Sequence, residues 1–215
     1  MTDSALPANV TETWLPGPDG VQFYTRTYTA ASPHAVVVFV HGFSGHCVRY
    51  EWMHGVYATR GITVFTFDQR GFGRTALDAE AKTGHSLYGK TSWPEQLCDI
   101  EWWIKHVQDR YPSLPVFLMG HSMVYDMSCI LSSHILTYAV SQGGALALAF
   151  ATRTIDTPSK ETVASLAGVV ASSPFLLRAT PTARHVRFIG WLLSFLIPNH
   201  IVHTHIDPNV STISV

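Results

Sequence analysis

The sequence predicts an α/β fold, a mostly parallel sheet flanked by helices, and three observations predict it. The run Ala35–Val40 is apolar without alternation, the pattern of a strand buried on both faces, as parallel sheets require. Two further strand-like runs, Ile62–Phe67 and 116–119, follow it, and helix-periodic sequence fills the intervals. Strands that alternate with helices in this way argue right-handed crossovers onto one sheet. With 215 residues, 47% of them hydrophobic and 13% charged, the chain is long enough for one sizeable core, so a single domain is the default.

Each element has its own justification. Trp14 and the β-rich run 21–28 flank Pro16-Gly17-Pro18-Asp19-Gly20, a turn cluster that predicts an opening hairpin. After the Ala35–Val40 strand, a helical segment over 49–60 leads to Ile62–Phe67, which ends in Asp68-Gln69-Arg70-Gly71-Phe72-Gly73. From 93 to 109, Leu97, Ile100, Trp103 and Val107 recur at three- and four-residue steps, an amphipathic helix with Pro94 suited to its first turn. Strand 116–119 follows, then a helix over 143–153 and a last strand over 166–172. From Pro174 the pattern changes to prolines, basic residues and the apolar segment 188–197.

Several function classes fall away on composition. A formal net charge of −1 with no block of like charges offers nothing to hold nucleic acid. Cys47, Cys98 and Cys129 are odd in number and share no metal or redox spacing, which argues against a disulfide framework or zinc site and for a reducing, cytoplasmic compartment. The first thirteen residues lack the basic and apolar regions of a secretory signal, so Asn9-Val10-Thr11 and Asn209-Val210-Ser211 read as accidental glycosylation patterns. Segment 188–197 has half of the ~20 residues needed to span a bilayer, and 124–140 carries Asp126 and His134, costly in a lone span. A soluble chain, or one held at a membrane or lipid-droplet surface, is expected.

Chemistry concentrates at Gly120-His121-Ser122-Met123, which follows strand 116–119 and reads as the first four residues of a G-x-S-x-G nucleophile elbow. A serine on such a sharp strand-to-helix turn has its hydroxyl pushed out at the carboxyl end of the sheet, and flanking glycines avoid collision with neighbouring backbone. Its oxyanion hole would use the N–H of Met123 and that of Phe43, in the loop His41-Gly42-Phe43-Ser44-Gly45 after the first long strand. The fifth elbow position, however, is Val124. The expected glycines stand at Gly143-Gly144, opening Gly-Gly-Ala-Leu-Ala-Leu-Ala-Phe, so the nineteen residues 124–142 read as an insertion in the motif.

Phe39-Val40-His41-Gly42-Phe43, Phe67-Asp68-Gln69-Arg70-Gly71-Phe72-Gly73, Met119-Gly120-His121-Ser122-Met123 joined to Gly143-Gly144-Ala145, and Ser172-Ser173-Pro174 resemble the monoglyceride lipase branch of the α/β-hydrolases, particularly its fungal members. The resemblance covers nearly the whole chain except 124–142 and the last few residues. It implies hydrolysis of monoacylglycerol to fatty acid and glycerol, without metal or cofactor. It also implies a core over 1–173 and the start of a cap over 174–215, with Phe188, Trp191 and Leu192 facing lipid. Other branches with the same elbow, lysophospholipases and serine aminopeptidases, remain open, as does a non-catalytic module that binds acyl lipid or a partner.

The triad is where the sequence departs from that pattern. The order in α/β-hydrolases is Ser, then Asp or Glu, then His. After Ser122 the candidates are Asp126, His134, Asp156, His185, His200, His203, His205 and Asp207, and none follows a further core strand. The C-terminal part of the core is therefore expected to be missing, with no triad acid or histidine in the chain, an inactive polypeptide and an adhesive edge at 166–172. His203-Thr204-His205 lacks a third ligand at metal spacing. Asp68 and Arg70 read as turn-fixing residues, and His46 and His121 as structural neighbours of the two loops. The insertion has a simple candidate origin, an unspliced intron. Val124 is encoded by GTN, Gln142 by CAG in one of its two codons, and Leu136-Thr137 permits CTNAC between them. Nineteen codons also keep the reading frame.

Overall fold

A computed structural model describes residues 9–84, 86–121, 142–152 and 159–174. Its sheet has six strands in the order β1-β2-β4-β3-β5-β6: β1 Val10–Pro16, β2 Gln22–Tyr28, β3 Ala35–Val40, β4 Ile62–Phe67, β5 Val116–His121 and β6 Gly168–Ser172. The opening hairpin is antiparallel, as is the β2/β4 pair, whereas β4, β3, β5 and β6 run parallel. The helices are α1 Glu51–Thr59, α2 Gly73–Leu77, α3 Trp93–Arg110, α4 Gln142–Thr152 and α5 Lys160–Ser165.

Strand β3 is buried along its whole length because successive side chains feed two cores. Val36, Val38 and Val40 pack with Leu97, Ile100, Trp103, Ile104 and Val107 of α3 and Leu146, Ala147 and Phe150 of α4. Val37 and Phe39 turn the other way, toward Ala58, Met53 and Tyr57 of α1 and toward Tyr28 and Val64. This two-sided cover explains the unbroken apolar run: neither face of β3 meets water. Strand β6 lies at the outer edge of the described sheet, and Val170 on it is 48% exposed.

Helix α3 begins where its sequence says it should. Ser92 caps it by accepting a hydrogen bond from Glu95 N at 3.4 Å, with Pro94 in the first turn, the Ser-x-x-Glu pattern of a capping box. Two short helices escaped the periodicity reading, α2 and α5. Each is fixed from outside itself: Arg74 N donates to Asp68 Oδ2 (2.7 Å), and Ser159 caps α5 while Glu101 of α3 accepts from Thr162 Oγ1 (2.9 Å). The last strand starts at Gly168 rather than 166, although Ala167 N still donates to Val116 O at 2.8 Å. The insertion, apart from Gln142 at the head of α4, and the cap segment beyond Pro174 lie outside the described residues.

Candidate functional site

Strands β3 and β5 are parallel neighbours, so their carboxyl ends bring the His41 loop beside the elbow. The register pairs Val40 with Gly120. Next to it His121 pairs with Ser172, and His121 Nδ1 lies 2.9 Å from Ser172 Oγ. The His121 ring also stands edge-on to Tyr50 at 5.6 Å, and burial holds its pKa below the usual histidine range. His121 therefore ties the end of β5 to β6 and to the segment before α1.

The His41 loop is held by a network that excludes His41 as a base. His41 is fully buried; its Nδ1–H donates to Gly42 O at 2.7 Å and its Nε2 accepts from Gln69 N at 2.9 Å. This pairing fixes one neutral tautomer, and burial lowers the pKa further. With the Nε2 lone pair occupied, the ring cannot take a proton from a neighbouring hydroxyl. Gln69 Nε2 donates to His41 O, closing the network on the loop backbone.

Asp68 clamps the far end of the same loop. It is 1% exposed, and its Oδ1 accepts from Cys47 N while its Oδ2 accepts from Arg74 N, both at 2.7 Å. Gly73, at φ +50°, is where α2 starts, and a Cβ there would lie 2.1 Å from Asp68 Oδ2, so only glycine lets the carboxylate in. Burial and the Asp68 carboxylate push the Cys47 thiol well above its usual range, which makes it inert as a nucleophile. Arg70 has a partner that the sequence did not announce. Its guanidinium grips Asp99 of α3 through Nε (3.0 Å) and Nη2 (2.7 Å).

The loop itself turns tightly at Gly42 to Gly45, with Gly45 N donating to Gly42 O at 3.1 Å and Ser44 at φ +54°. Phe43 is half-buried with its ring 5.2 Å from Phe72. Ser44 Oγ reaches Tyr88 OH at 2.6 Å, a tie to the segment before α3 that no sequence pattern signalled.

Glycines govern the elbow side. A Cβ on Gly120 would meet Gly143 O at 1.9 Å; one on Gly143 would meet His121 O, Val40 O and His41 O at 2.4, 2.5 and 2.6 Å. One on Gly144 would lie 2.5 Å from Ser172 O. All three glycines named from sequence are thus brought together with His41, Gly42 and His121. Ser122 and Met123 lie outside the described residues, as do Asp126, His134, Asp156, His185, His200, His203, His205, Asp207, Phe188, Trp191 and Leu192. Among the described residues after the elbow there is no histidine, and Glu161 is the one carboxylate. Glu161 stands on α5, which leads into the amino end of β6, opposite the elbow. Among the described residues no group of three His, Cys, Asp or Glu side chains could hold a metal, and no helix is long and apolar enough to cross a membrane.

Residues 31–123 match the family model described as serine aminopeptidase, S33. A Schizosaccharomyces pombe protein that bears a provisional monoglyceride lipase name is 33% identical over 155 residues, 71% of this chain and 33% of that protein. The monoglyceride lipase of Rattus norvegicus is 25% identical over 198 residues, 90% of this chain and 54% of the relative. The chain thus spans a third to about half the length of these relatives. In fold, it is similar to a soluble variant of monoglyceride lipase from Saccharomyces cerevisiae solved with a substrate analogue, at a TM-score of 0.66 and 21% identity, covering 95% of this chain and 59% of that one. With the strand order, the glycine-tight elbow flanks and the buried His41 loop, these likenesses show an α/β-hydrolase fold similar to that of the monoglyceride lipases.

Proposed function

We propose that the chain belongs to a serine ester hydrolase that cleaves monoacylglycerol to fatty acid and glycerol, with Ser122 as nucleophile and the N–H groups of Phe43 and Met123 as oxyanion donors. The observation that carries the reading is the pairing of Val40 with Gly120, which sets the Phe43 loop beside the strand that leads into Ser122. Attack by the serine on the ester carbonyl develops negative charge on oxygen, and fixed backbone donors stabilise that charge by ~3–4 kcal/mol each. The His41 ring is committed through both nitrogens, to Gly42 and Gln69. None of the histidines after Ser122 follows a further core strand in the sequence, and on that ground the 215-residue polypeptide by itself turns over no ester.

Two assays test the two halves. The purified chain, offered a short-chain ester and a monoacylglycerol, should release no product above background; turnover that vanishes in Ser122→Ala would overturn the inactive reading. Substrate class is read by binding, with non-hydrolysable ethers in place of esters and, as the signal, the change in tryptophan fluorescence that Trp191→Phe removes. A monoalkylglycerol ether should bind saturably and more tightly than a lysophosphocholine ether. The reverse order would point to a lysophospholipase, and failure of both to bind would remove the acyl-lipid reading. The same acyl site would place the protein at a membrane or lipid-droplet surface, through Phe188, Trp191 and Leu192.

A further inference from the structure

The two flanks of the elbow meet as though nothing lay between them. Gly143 is twenty-two positions after His121, yet a Cβ on it would sit 2.4 Å from His121 O. Since a Cβ is about 1.5 Å from its Cα and successive Cα atoms are ~3.8 Å apart, Ser122 and Met123 alone are long enough to join the two. Helix α4 is seated in the core at the same time, with Leu146, Ala147 and Phe150 fully buried against β3 and α3. A glycine on each side of the gap fits a turn of minimal length, where backbone meets backbone. A connection of more than twenty residues imposes no such demand.

We propose that residues 124–142 are a separable insert across an otherwise complete elbow, a retained intron whose removal at the transcript level joins Met123 to Gly143. The joined sequence is Gly-His-Ser-Met-Gly-Gly-Ala-Leu, which supplies the elbow's missing second glycine and leaves every downstream residue in frame. In that form the Met123 N–H falls at the N-terminus of α4, where the helix dipole favours developing negative charge. The polypeptide with 124–142 and the one without it then differ in whether nucleophile and oxyanion donor share one rigid turn. The inference rests on the proposed function only for the role given to Ser122. Its tests read folding and transcripts, so they can fail independently of any activity.

The first test compares the full chain with a variant lacking 124–142. Shortening the connection removes closure entropy, so the deletion should fold cooperatively with a melting temperature raised by about 4–7 °C. Where the full chain is recovered only as aggregate, the deletion variant should be the one that yields monomer. A lowered melting temperature or loss of the fold would show that 124–142 supplies structure, and would overturn the proposal. Within the deletion variant, Gly143→Val should abolish folding, because the helix start must still press on three carbonyls; a tolerated valine would count against the restored turn. The second test sequences mature transcripts across codons 123–143. A product shorter by the nineteen codons is expected, and retention in every transcript would overturn the intron origin.

Discussion

The loop at the carboxyl end of β3 and the glycine flanks of the elbow at the carboxyl end of β5 lie side by side but are built by different means. The His41 loop is fixed by side chains: Gln69 and Asp68, more than twenty positions away, bond His41 O and Cys47 N, and the His41 ring bonds Gly42 O and Gln69 N. The elbow flank is fixed by the lack of side chains, with Gly120, Gly143 and Gly144 letting backbone meet backbone below normal Cβ distances. Hydrogen-bonded construction loses its bonds one at a time when altered. Steric construction fails as a whole, because a clash with main chain has no rotamer to relax into.

The largest effect should therefore come from the glycine side. Gly143→Val places a branched side chain against three carbonyl oxygens, and the expected cost, ~4 kcal/mol or more, belongs to the exceptional class that removes most of a domain's stability. Gly84→Ala is the control: nothing lies within 4 Å of a Cβ there, so its melting temperature should match the parent or rise slightly. Equal melting temperatures for the two variants would erase the contrast between the loops.

These two modes of construction also account for what was legible in the sequence. Glycines needed for close approach leave a spacing pattern, so Gly120, Gly143 and Gly144 were nameable without coordinates. The Asp68–Cys47, Gln69–His41 and Arg70–Asp99 contacts join residues 21 to 29 positions apart and leave no periodic trace. For the elements, β3, β4 and α3 were visible because burial wrote an apolar run or a helical period over six or more residues. Helices α2 and α5, five and six residues long, carry too few turns for a period and depend on Asp68, Ser159 and Glu101 instead.

On the hydrogen-bonded side, Asp68→Ala strands the Cys47 and Arg74 amides together. Bonds to a charged acceptor contribute ~1.5–3 kcal/mol each, so the expected loss is about 3 kcal/mol, short of the glycine effect. Asp68→Asn keeps one acceptor and should recover roughly half. Urea unfolding checks both, and hydrogen exchange should be faster at Cys47 and Arg74 while the β5 amides change little. Equal acceleration in β5 would mean that the two loops are one cooperative unit.

Beneath the His41 loop and the end of β5 lies one shared support, the aromatic cluster of α1 and the segment before it. Tyr50 touches Phe39 of β3 at 4.7 Å and His121 of β5 at 5.6 Å, and His54 packs on Phe39 at 4.7 Å and on Tyr28 at 5.0 Å. His54 is fully buried with no hydrogen-bond partner among the described residues, and burial, with Arg26 nearby, pushes its pKa from 6.5 down to about 3. The sign is fixed: above pH 6.5 the group is neutral in both states and adds nothing to pH dependence. As pH falls from 6.5 toward 3 the unfolded chain takes up a proton that the folded chain refuses, so stability drops by up to ~1.4 kcal/mol per pH unit. His54→Leu should flatten that slope between pH 6 and 4. An unchanged slope would place the acid sensitivity elsewhere and leave the shared support without a titrating group.

The smallest effect separates strain from bonding inside the His41 loop itself. Ser44 combines an unfavourable φ of +54° with an exposed hydroxyl bond to Tyr88. Tyr88→Phe removes only the bond and should cost ~0.5 kcal/mol, the low end for an exposed pair. Ser44→Gly removes the same bond but also the left-handed penalty of roughly 1 kcal/mol, so it should come out neutral or slightly stabilising. If both variants lose the same amount, the positive φ is not strained and the turn is held by the hydroxyl alone. If Ser44→Gly is the more stable of the two, the loop stores conformational strain that its hydrogen bonds restrain, a different device from the close backbone contacts at Gly120, Gly143 and Gly144 beside it.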